Sequence, residues 1–252
     1  MSIERVTVHA LTHTGGMRAH NEDSLAVGDW VAVNDLERPK TLHPQLPGPV
    51  TAIVADGMGG HASGDVASEG ATRYLAKRMG QIARPDQAAQ LLQEANRHLY
   101  EMMETGDGAP GMGTTVVALV LRPDEAILAN VGDSRAYRWR AGELVQLSTD
   151  DTPGPKLADG RTAAHTSPML TQSLGGQSGY VEVAAHADTD TPQAGDRYLL
   201  ASDGLTDLVS PDTIGARLAG LDGAAAVEAL FRDAMNEGGK DNISIVLVEV
   251  QA

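Results

Sequence analysis

The chain has 252 residues, of which 42% are hydrophobic and 21% are charged. This composition is typical of a folded globular protein and excludes a disordered, collagen-like or coiled-coil chain. The formal net charge of −15 disfavours binding to nucleic-acid phosphates and to anionic membranes. The absence of cysteine excludes disulfides, thiolate zinc sites and cysteine nucleophiles.

The N-terminal segment mixes polar, charged and apolar residues, and no apolar run in the chain is long enough to cross a membrane. We therefore expect a complete, cytoplasmic protein with no leader, no membrane partner and no nucleic-acid partner. The lack of cysteine agrees with a reducing compartment. The length predicts that residues 1–252 form a single domain.

The first half of the chain combines short apolar strands with two long amphipathic helices. Four prolines between residues 35 and 49 indicate an irregular excursion at a sheet edge. Asp56-Gly57 stops an apolar run, which predicts a buried strand that ends in a turn. The predicted elements are strands at 6–15, 24–35 and 51–55, and helices at 64–83 and from Pro85 onward.

The second half consists mainly of strands joined by short turns, which predicts antiparallel pairing. Residues 149–167 lack periodicity and are predicted to form a mobile surface segment. Two more helices, one beginning near Ser210 and one at 222–236, precede the last strand. The predicted strands are 114–122, 125–133, 135–141, 143–148, 180–188, 196–204 and 242–250. This order predicts an α+β fold in four layers, an α/β/β/α sandwich of two antiparallel sheets flanked by helix pairs.

Acidic residues stand at the ends of several predicted strands. Strand ends lie along one rim of a sheet, so carboxylates that are distant in sequence can meet there. The residues concerned are Glu22, Asp23, Asp56, Asp133, Asp203 and Asp241. Carboxylates that close together cannot all ionise unless a cation lies among them. The pattern therefore predicts a divalent metal site.

Oxygen donors without thiolates or clustered imidazoles select hard cations, so we expect Mg²⁺ or Mn²⁺, with Ca²⁺ as a less catalytic alternative. Two such ions can share a bridging carboxylate and hold a nucleophilic hydroxide between them. Asp56 is the candidate bridge, because Gly57 lets the backbone approach closely enough for its carbonyl to become a ligand. Asp203 and Asp241 would complete the first ion, and Glu22 the second.

Arg18 stands four residues before Glu22. A guanidinium beside a two-metal centre suits a phosphate dianion, which it binds through paired hydrogen bonds. Phosphate-ester hydrolysis is extremely slow without catalysis. A two-metal site accelerates it by activating a water molecule and by neutralising the negative charge of the phosphate oxygens. The predicted reaction is therefore the hydrolysis of a phosphate ester.

Six motifs follow one another along this chain: RAHNED (18–23), ADGMGGHASGDVAS (55–68), GTTVVALVL (113–121), NVGDSRAYRWRAGEL (130–144), LLASDGLTD (199–207) and KDNISIVLV (240–248). Over nearly its whole length the chain resembles the type 2C, metal-dependent serine/threonine protein phosphatases (PPM family), and in particular bacterial single-domain members. The resemblance implies a sandwich of two antiparallel sheets. It also implies that a metal-bridging hydroxide removes phosphate from serine or threonine in proteins, with Mn²⁺ or Mg²⁺, opposing a serine/threonine kinase.

The resemblance further implies a role for each matching residue. Arg18 would bind the substrate phosphate. Asp56 would be the bridging ligand, with Glu22 and the Gly57 carbonyl as further ligands, and Asp203 and Asp241 would be ligands of the other ion. Asp23 would act through metal-bound water. Asp133, together with Asp203 and Asp207, matches the position of a third, weaker ion. The supporting residues are Thr114, Arg135 and Asn242.

Two positions depart from the family pattern. Members with the sequence DGH carry a histidine two residues after the bridging aspartate, where it protonates the leaving group. Met58 stands there in this chain, so His61 and water are the candidate proton donors. The second departure is the flap segment at about residues 150–168, which is short and has Asp151 in place of the family's histidine.

Other interpretations exist for single residues and for the whole chain. An Asp-Gly pair is usually a turn, and Asp133 can cap a tight turn by binding backbone amides. A regulatory module that binds phosphoproteins without hydrolysing them would have lost metal ligands, and none is lost here. A metal-dependent nuclease would need basic surface, which the acidic net charge argues against.

Overall fold

The computed structural model describes residues 3–58, 63–153 and 169–252. Within these ranges the chain forms two β-sheets that face one another, and helices cover the outer face of each sheet. The predicted α+β class and the four-layer α/β/β/α sandwich are therefore confirmed.

The strands, numbered along the chain, are β1 (Arg5–His13), β2 (Asp23–Val27), β3 (Trp30–Ala32), β4 (Lys40–Leu42), β5 (Val50–Met58), β6 (Gly113–Thr114), β7 (Val116–Leu121), β8 (Ala126–Val131), β9 (Arg135–Arg140), β10 (Glu143–Gln146), β11 (Leu174–Gly175), β12 (His186–Asp190), β13 (Arg197–Ala201) and β14 (Ile243–Gln251). The α-helices are α1 (Gly64–Ala76), α2 (Pro85–Thr105), α3 (Asp203–Thr206), α4 (Pro211–Gly220) and α5 (Gly223–Asn236).

All strand pairings among the described residues are antiparallel, as the short turns predict. One sheet has the order β10-β9-β13-β14-β1-β4, and the other has the order β11-β6-β5-β7-β8-β12 with β2 and β3 joined through β5. The pairing of β2 with β5 places Asp23 directly opposite Asp56. Two predicted site residues are thus neighbours on adjacent strands.

Three apolar layers hold the sheets and helices together. Leu75 of α1 and Leu92 of α2 pack against the outer face of the β5-containing sheet. Val54 and Val246 meet between the two sheets, and Leu230 of α5 packs on the outer face of the β14-containing sheet. Removing this apolar surface from water is the main stabilising contribution. No described helix has the length and apolar character needed to cross a bilayer.

The helix ends follow local capping chemistry. The Ser210 side chain accepts a hydrogen bond from the Thr213 amide at the start of α4, and the side chain of Asp222 caps α5 in the same way. Helix α2 begins with Pro85 and ends at Thr105, and the capping residue Gly106 that follows adopts a φ of 84°. The starts of these helices agree with the sequence prediction because caps are local signals.

The course of β5 differs from the prediction. The strand continues through Asp56 and Gly57 to Met58 instead of ending in a turn. Its last residues pair with β6, where Gly57 lies opposite Thr114. Asp56 and Gly57 are therefore held in an extended strand by the neighbouring strands, and this pairing outweighs the local preference of Asp-Gly for a turn.

Several other segments also differ from their predictions. The predicted strand 24–35 is a hairpin of β2 and β3, and the predicted strand 196–204 ends at Ala201, after which α3 begins at Asp203. The excursion 35–49 contains the edge strand β4, which pairs with β1. The predicted helix 64–83 ends at Ala76 and is followed by a 3₁₀ turn. The predicted strand 180–188 shortens to β12, because residues 180–183 bind to α2 by side-chain hydrogen bonds instead of pairing with a strand.

The segment predicted to be mobile, and with it most of the predicted flap, lies outside the described residues at positions 154–168. Its described beginning is not a surface loop, since Asp150 and Asp151 are only 3% and 6% exposed. Asp150 pairs with Arg135, and Asp151 accepts a hydrogen bond from His186. A buried ion pair and a histidine hydrogen bond therefore hold this end of the segment in place.

Candidate functional site

A cavity of about 730 Å³ lies beside the end of β5 and the start of α3. Its lining brings together residues from separate parts of the chain, and six of them are acidic. The sequence-predicted residues among them are Arg18, Glu22, Asp56, Gly57, Asp133, Asp203 and Asp241. Asp23 does not line this cavity but lies buried on β2 opposite Asp56. The predicted gathering of distant carboxylates is thus present in the fold.

The backbone of Asp56 is held by two threonines. The carbonyl oxygen of Asp56 accepts hydrogen bonds from Thr114 Oγ1 and from the Thr115 amide, each at 2.9 Å. The amide of Asp56 donates to Thr115 Oγ1 at 3.2 Å. Thr114, a predicted supporting residue, therefore contacts Asp56 directly. Thr115 was missed by the sequence analysis, although it belongs to the same GTT motif.

Gly57 lies where three backbone segments come together. Its amide donates to the carbonyl of Glu22 at 3.2 Å. A Cβ atom at this position would overlap the carbonyl groups of Glu22 and Gly64. Ser68 of α1 donates to the same Glu22 carbonyl at 2.6 Å. Glycine is required here because any side chain would push the Glu22 segment and the start of α1 away from β5.

Asn242 fixes the segment that carries Glu22. Its side-chain oxygen accepts a hydrogen bond from the Glu22 amide at 2.8 Å. Its side-chain nitrogen donates to the carbonyls of Thr14 and His20, each at 2.9 Å. One amide side chain thus ties together three points on the N-terminal loop. This arrangement agrees with the supporting position predicted for Asn242.

Arg18 and Asp241 form an ion pair at the mouth of the cavity. Arg18 Nη2 lies 2.7 Å from Asp241 Oδ2, and the side chain of Arg18 is 49% exposed. The other carboxylate oxygen of Asp241 accepts a hydrogen bond from the Asn242 amide at 2.8 Å. The predicted phosphate binder is therefore both accessible and fixed beside a predicted metal ligand.

The buried carboxylates of this site have strongly perturbed proton affinities. Burial raises the pKa of Asp23 to about 7, and burial with the charges of Asp133 and Asp241 raises the pKa of Asp203 to about 8. The pKa of Asp56 is well above its usual range, through burial and then through the charges of Asp23 and Asp203. Such shifts mark sites where negative charge is gathered without enough compensation from the protein.

The donor set of the site fits a hard divalent cation. Asp23 Oδ1 and Asp203 Oδ1 are buried and have no hydrogen-bond partner in the structure. The described residues contain no group of three or more acidic or histidine side chains arranged as a formed metal site. The charge of Asp203 instead raises the pKa of Asp56, and Arg18 binds Asp241. Buried, unpaired carboxylate oxygens are the ligands that Mg²⁺ and Mn²⁺ select.

Asp133 and Asp207 lie at the edge of this arrangement. Asp133 lines the cavity from the turn between β8 and β9. Burial, followed by the charges of Asp150 and Asp207, raises the pKa of Asp133 to about 6. Asp207 is exposed at the end of α3 and does not line the cavity. Asp207 therefore acts on Asp133 and Asp203 through its charge.

Arg135, the third predicted supporting residue, contacts Asp150 at the start of the predicted flap segment. Its guanidinium donates to Asp150 through Nε at 2.9 Å and through Nη2 at 2.7 Å, and both side chains are buried. Asp151 accepts a hydrogen bond from the Gly132 amide at 2.9 Å, next to Asp133. The two aspartates therefore join the start of the flap to the turn that carries Asp133.

Sequence reasoning missed the serines that hold Asp23. Ser202 Oγ donates to Asp23 Oδ2 at 2.9 Å and accepts a hydrogen bond from the Ser244 amide at 2.9 Å. Ser202 directly precedes Asp203 in the LLASDG motif, so its position was a usable signal. Its partner Asp23 could not be found from sequence, because the contact joins residues 179 positions apart.

The proton donor stays open. Met58 lines the cavity at the position where some family members carry a histidine. His61 lies outside the described residues. Among the described residues that line the cavity, none is a histidine.

The chain is similar to known proteins along most of its length. The model of the family described as Protein phosphatase 2C matches residues 41–249. The serine/threonine protein phosphatase PstP of Mycobacterium tuberculosis is 34% identical over 248 residues, which are 96% of this chain and 44% of that protein. The serine/threonine phosphatase stp of Listeria welshimeri is 33% identical over 255 residues, which are 94% of this chain and 93% of that protein. This chain therefore spans less than half the length of PstP.

A crystal structure of the catalytic domain of a serine/threonine protein phosphatase PstP, in complex with two manganese ions, has the same fold. It superposes with a TM-score of 0.75 at 30% sequence identity, and the match covers 98% of this chain and 100% of that one. The likeness therefore includes both sheets and their outer helices.

Proposed function

This chain belongs to the protein phosphatase 2C family, and from that membership and the geometry of the cavity we propose that it removes phosphate from serine and threonine residues of proteins. The observation that carries the proposal is the gathering of Asp56, Asp203 and Asp241 in one cavity with Arg18. Mn²⁺ or Mg²⁺ is the proposed cofactor.

Five groups would hold the two ions: the side chains of Glu22, Asp56, Asp203 and Asp241 and the carbonyl of Gly57. When bound, two divalent ions supply an activated water and neutralise the negative charge of the phosphate oxygens. Asp56 would serve both ions, and it lines the same cavity as Glu22 and Asp203. Asp23 would accept a hydrogen bond from a water in the ligand set.

Arg18 orients the substrate. Its guanidinium lines the cavity, and its ion pair with Asp241 restricts its rotamers. A guanidinium held in this way binds two phosphate oxygens in a fixed direction, so the ester phosphorus faces the carboxylate cluster. The chain thereby lowers the entropic cost of bringing the phosphate to the reacting position.

Hydrogen-bonded neighbours hold the proposed ligands in position. Thr114 holds the Asp56 carbonyl, Asn242 holds the Glu22 amide, and Ser202 holds the Asp23 carboxylate. Such outer contacts commonly change metal affinity or activity by about 10- to 100-fold. We further propose a third, weaker ion at Asp133, with Asp203 and Asp207. The charge of Asp207 raises the pKa of Asp133, and the charge of Asp133 raises the pKa of Asp203.

We also propose that the substrates are a serine/threonine kinase or its targets in the cytoplasm. The net charge of −15 supports a phosphoprotein partner over nucleic acid or an anionic membrane, because both of those would be repelled. Charge repulsion also applies to acidic phosphoproteins, so local contacts near the cavity have to select among them.

Turnover measurements test the proposed function. The purified protein is assayed with para-nitrophenyl phosphate and with a phosphothreonine peptide, each with Mn²⁺ and with excess EDTA. We expect hydrolysis with Mn²⁺ and none with EDTA. Equal rates in the two conditions would contradict the metal mechanism. Peptide binding without turnover would favour the regulatory module, and hydrolysis of bis-para-nitrophenyl phosphate alone would favour the nuclease.

A further inference from the structure

The cavity continues beyond the acidic residues along the segment 170–183. Leu170, Val181 and Val183 line it there together with Glu182 and several polar side chains, and we call the three apolar side chains the apolar wall. Val181 is 53% exposed, and the other two are half-buried. The cavity therefore combines an acidic end, where the phosphate would bind, with a side on which these apolar side chains stand among polar ones and Glu182.

The large apolar side chains that are exposed among the described residues are Met17, Met169, Tyr180 and Val181. Two of them line the cavity, and the other two are adjacent in sequence to the cavity residues Arg18 and Val181. Single exposed apolar residues are common, whereas a group of them around one opening marks a binding surface.

The apolar wall is held rigidly by helix α2. Asn96, whose exposure is 0%, donates to the Val181 carbonyl at 2.8 Å and accepts from the Gly175 amide at 2.8 Å. Gln93 accepts a hydrogen bond from the Val183 amide at 3.0 Å. These bonds fix the backbone on both sides of the Val181 side chain. A preorganised surface loses little entropy when a ligand binds.

The size of the cavity limits which substrate residues can reach the wall. A volume of 730 Å³ corresponds to a sphere about 11 Å across, which is roughly the length of three extended residues. A side chain within about three positions of the phosphorylated residue can therefore contact the wall. The aryl group of a small phosphate ester offers no such side chain.

We propose that the apolar wall binds an apolar side chain of the substrate close to the phosphorylated residue, and that Val181 is the main specificity-determining contact. This inference rests on the proposed function, because the phosphate site determines where the peptide enters the cavity. Burying part of Val181 and its partner side chain favours substrates with valine or leucine at that position. The same position would discriminate against serine.

A peptide series measures this preference. Phosphothreonine peptides carry valine, serine or lysine at each of the three positions on either side of the phosphothreonine. For each position we take the ratio of kcat/KM between the valine and the serine peptide. We expect a ratio of about five or more at one position at least. This ratio does not depend on the active fraction of a preparation, so partial unfolding cannot imitate a loss of specificity.

Three variants assign the preference to the wall. Val181→Ser is expected to bring the ratio close to one, and Val181→Leu to keep it. The matched control is Ala184→Ser, which makes an exposed residue of the same segment polar outside the cavity lining and is expected to keep the wild-type ratio.

A wild-type ratio of one at every position, a preference for lysine, or an unchanged ratio in Val181→Ser overturns the inference. These outcomes are distinct from failure of the proposed function, which is seen separately as absence of Mn²⁺-dependent hydrolysis of para-nitrophenyl phosphate by the wild-type protein.

Discussion

Two regions of this protein bury several carboxylates, and they compensate the charge differently. In the first, which we call the arginine-paired region, Arg140 donates to both oxygens of Asp196 at 2.6 Å, and the Asp196 side chain is 0% exposed. Arg138 binds Asp190 nearby at 2.6 Å. In the second, the acidic cavity, burial and mutual repulsion raise the pKa of Asp56 and Asp203.

The difference between the two regions indicates where an outside cation is needed. Each buried carboxylate of the arginine-paired region has its guanidinium, so its charge is satisfied within the chain. In the acidic cavity the one nearby guanidinium among the lining residues is Arg18, which several carboxylates share. Buried negative charge in excess of protein cations favours a metal, and the predictions below test this distinction.

The largest effect is expected from Asp56→Asn. The amide removes the charge shared by both proposed ions, so kcat/KM for para-nitrophenyl phosphate with Mn²⁺ should fall by about a thousandfold or more. Circular dichroism should show an unchanged fold, because the substitution conserves volume. Asp203→Asn and Asp241→Asn should act in the same direction. Full activity in any of these variants would refute its assignment as a metal ligand.

A smaller loss, of stability alone, is expected in the arginine-paired region. Arg140→Met leaves Asp196 buried without its partner, which should lower the free energy of unfolding by about 3 kcal/mol. Urea denaturation measures the change. The double variant Arg140→Met with Asp196→Asn should recover part of the loss, since no buried charge remains. A neutral single variant would show that Asp196 is compensated by other groups.

The pH dependence of stability should depend on the metal. The folded-state pKa values of Asp203 (about 8) and Asp23 (about 7) lie above the ordinary value, so the folded state binds more protons than the unfolded state. In EDTA the free energy of unfolding should therefore fall by several kcal/mol from about pH 5 to about pH 8. Saturating Mn²⁺ should remove this fall. The same slope with and without Mn²⁺ would argue against metal binding at these carboxylates.

The smallest effect is expected from Arg18→Ala. Loss of the paired hydrogen bonds to the phosphate should lower kcat/KM for a phosphothreonine peptide by about tenfold. Arg18→Lys should recover only part of it, because an ammonium lacks the planar pair of donors. Steady-state kinetics with Mn²⁺ measure both variants. An Arg18→Ala enzyme with wild-type kinetics would remove Arg18 from substrate binding.

Much of the fold and of the cavity could be predicted because the signals were local or occurred in ordered motifs. Helix starts at Pro85 and Ser210 follow from capping chemistry. The positions of aspartates at strand ends predicted that these carboxylates meet at one rim of a sheet. The interpretation of Asp56-Gly57 as a turn was wrong, since pairing with β6 overrides a local preference. The burial of Asp151 was also missed, because its partner His186 lies in a distant strand.

By itself, the sequence determined the order of strands and helices, the excess of acidic residues and the motifs that carry them, since all of these depend on residues close together in the chain. Only the tertiary structure decided which buried aspartates have an arginine and which face one another, and which valines border the same cavity as Arg18. Charge compensation and packing depend on distances between side chains from separate strands, and those distances exist only once the sheets have assembled.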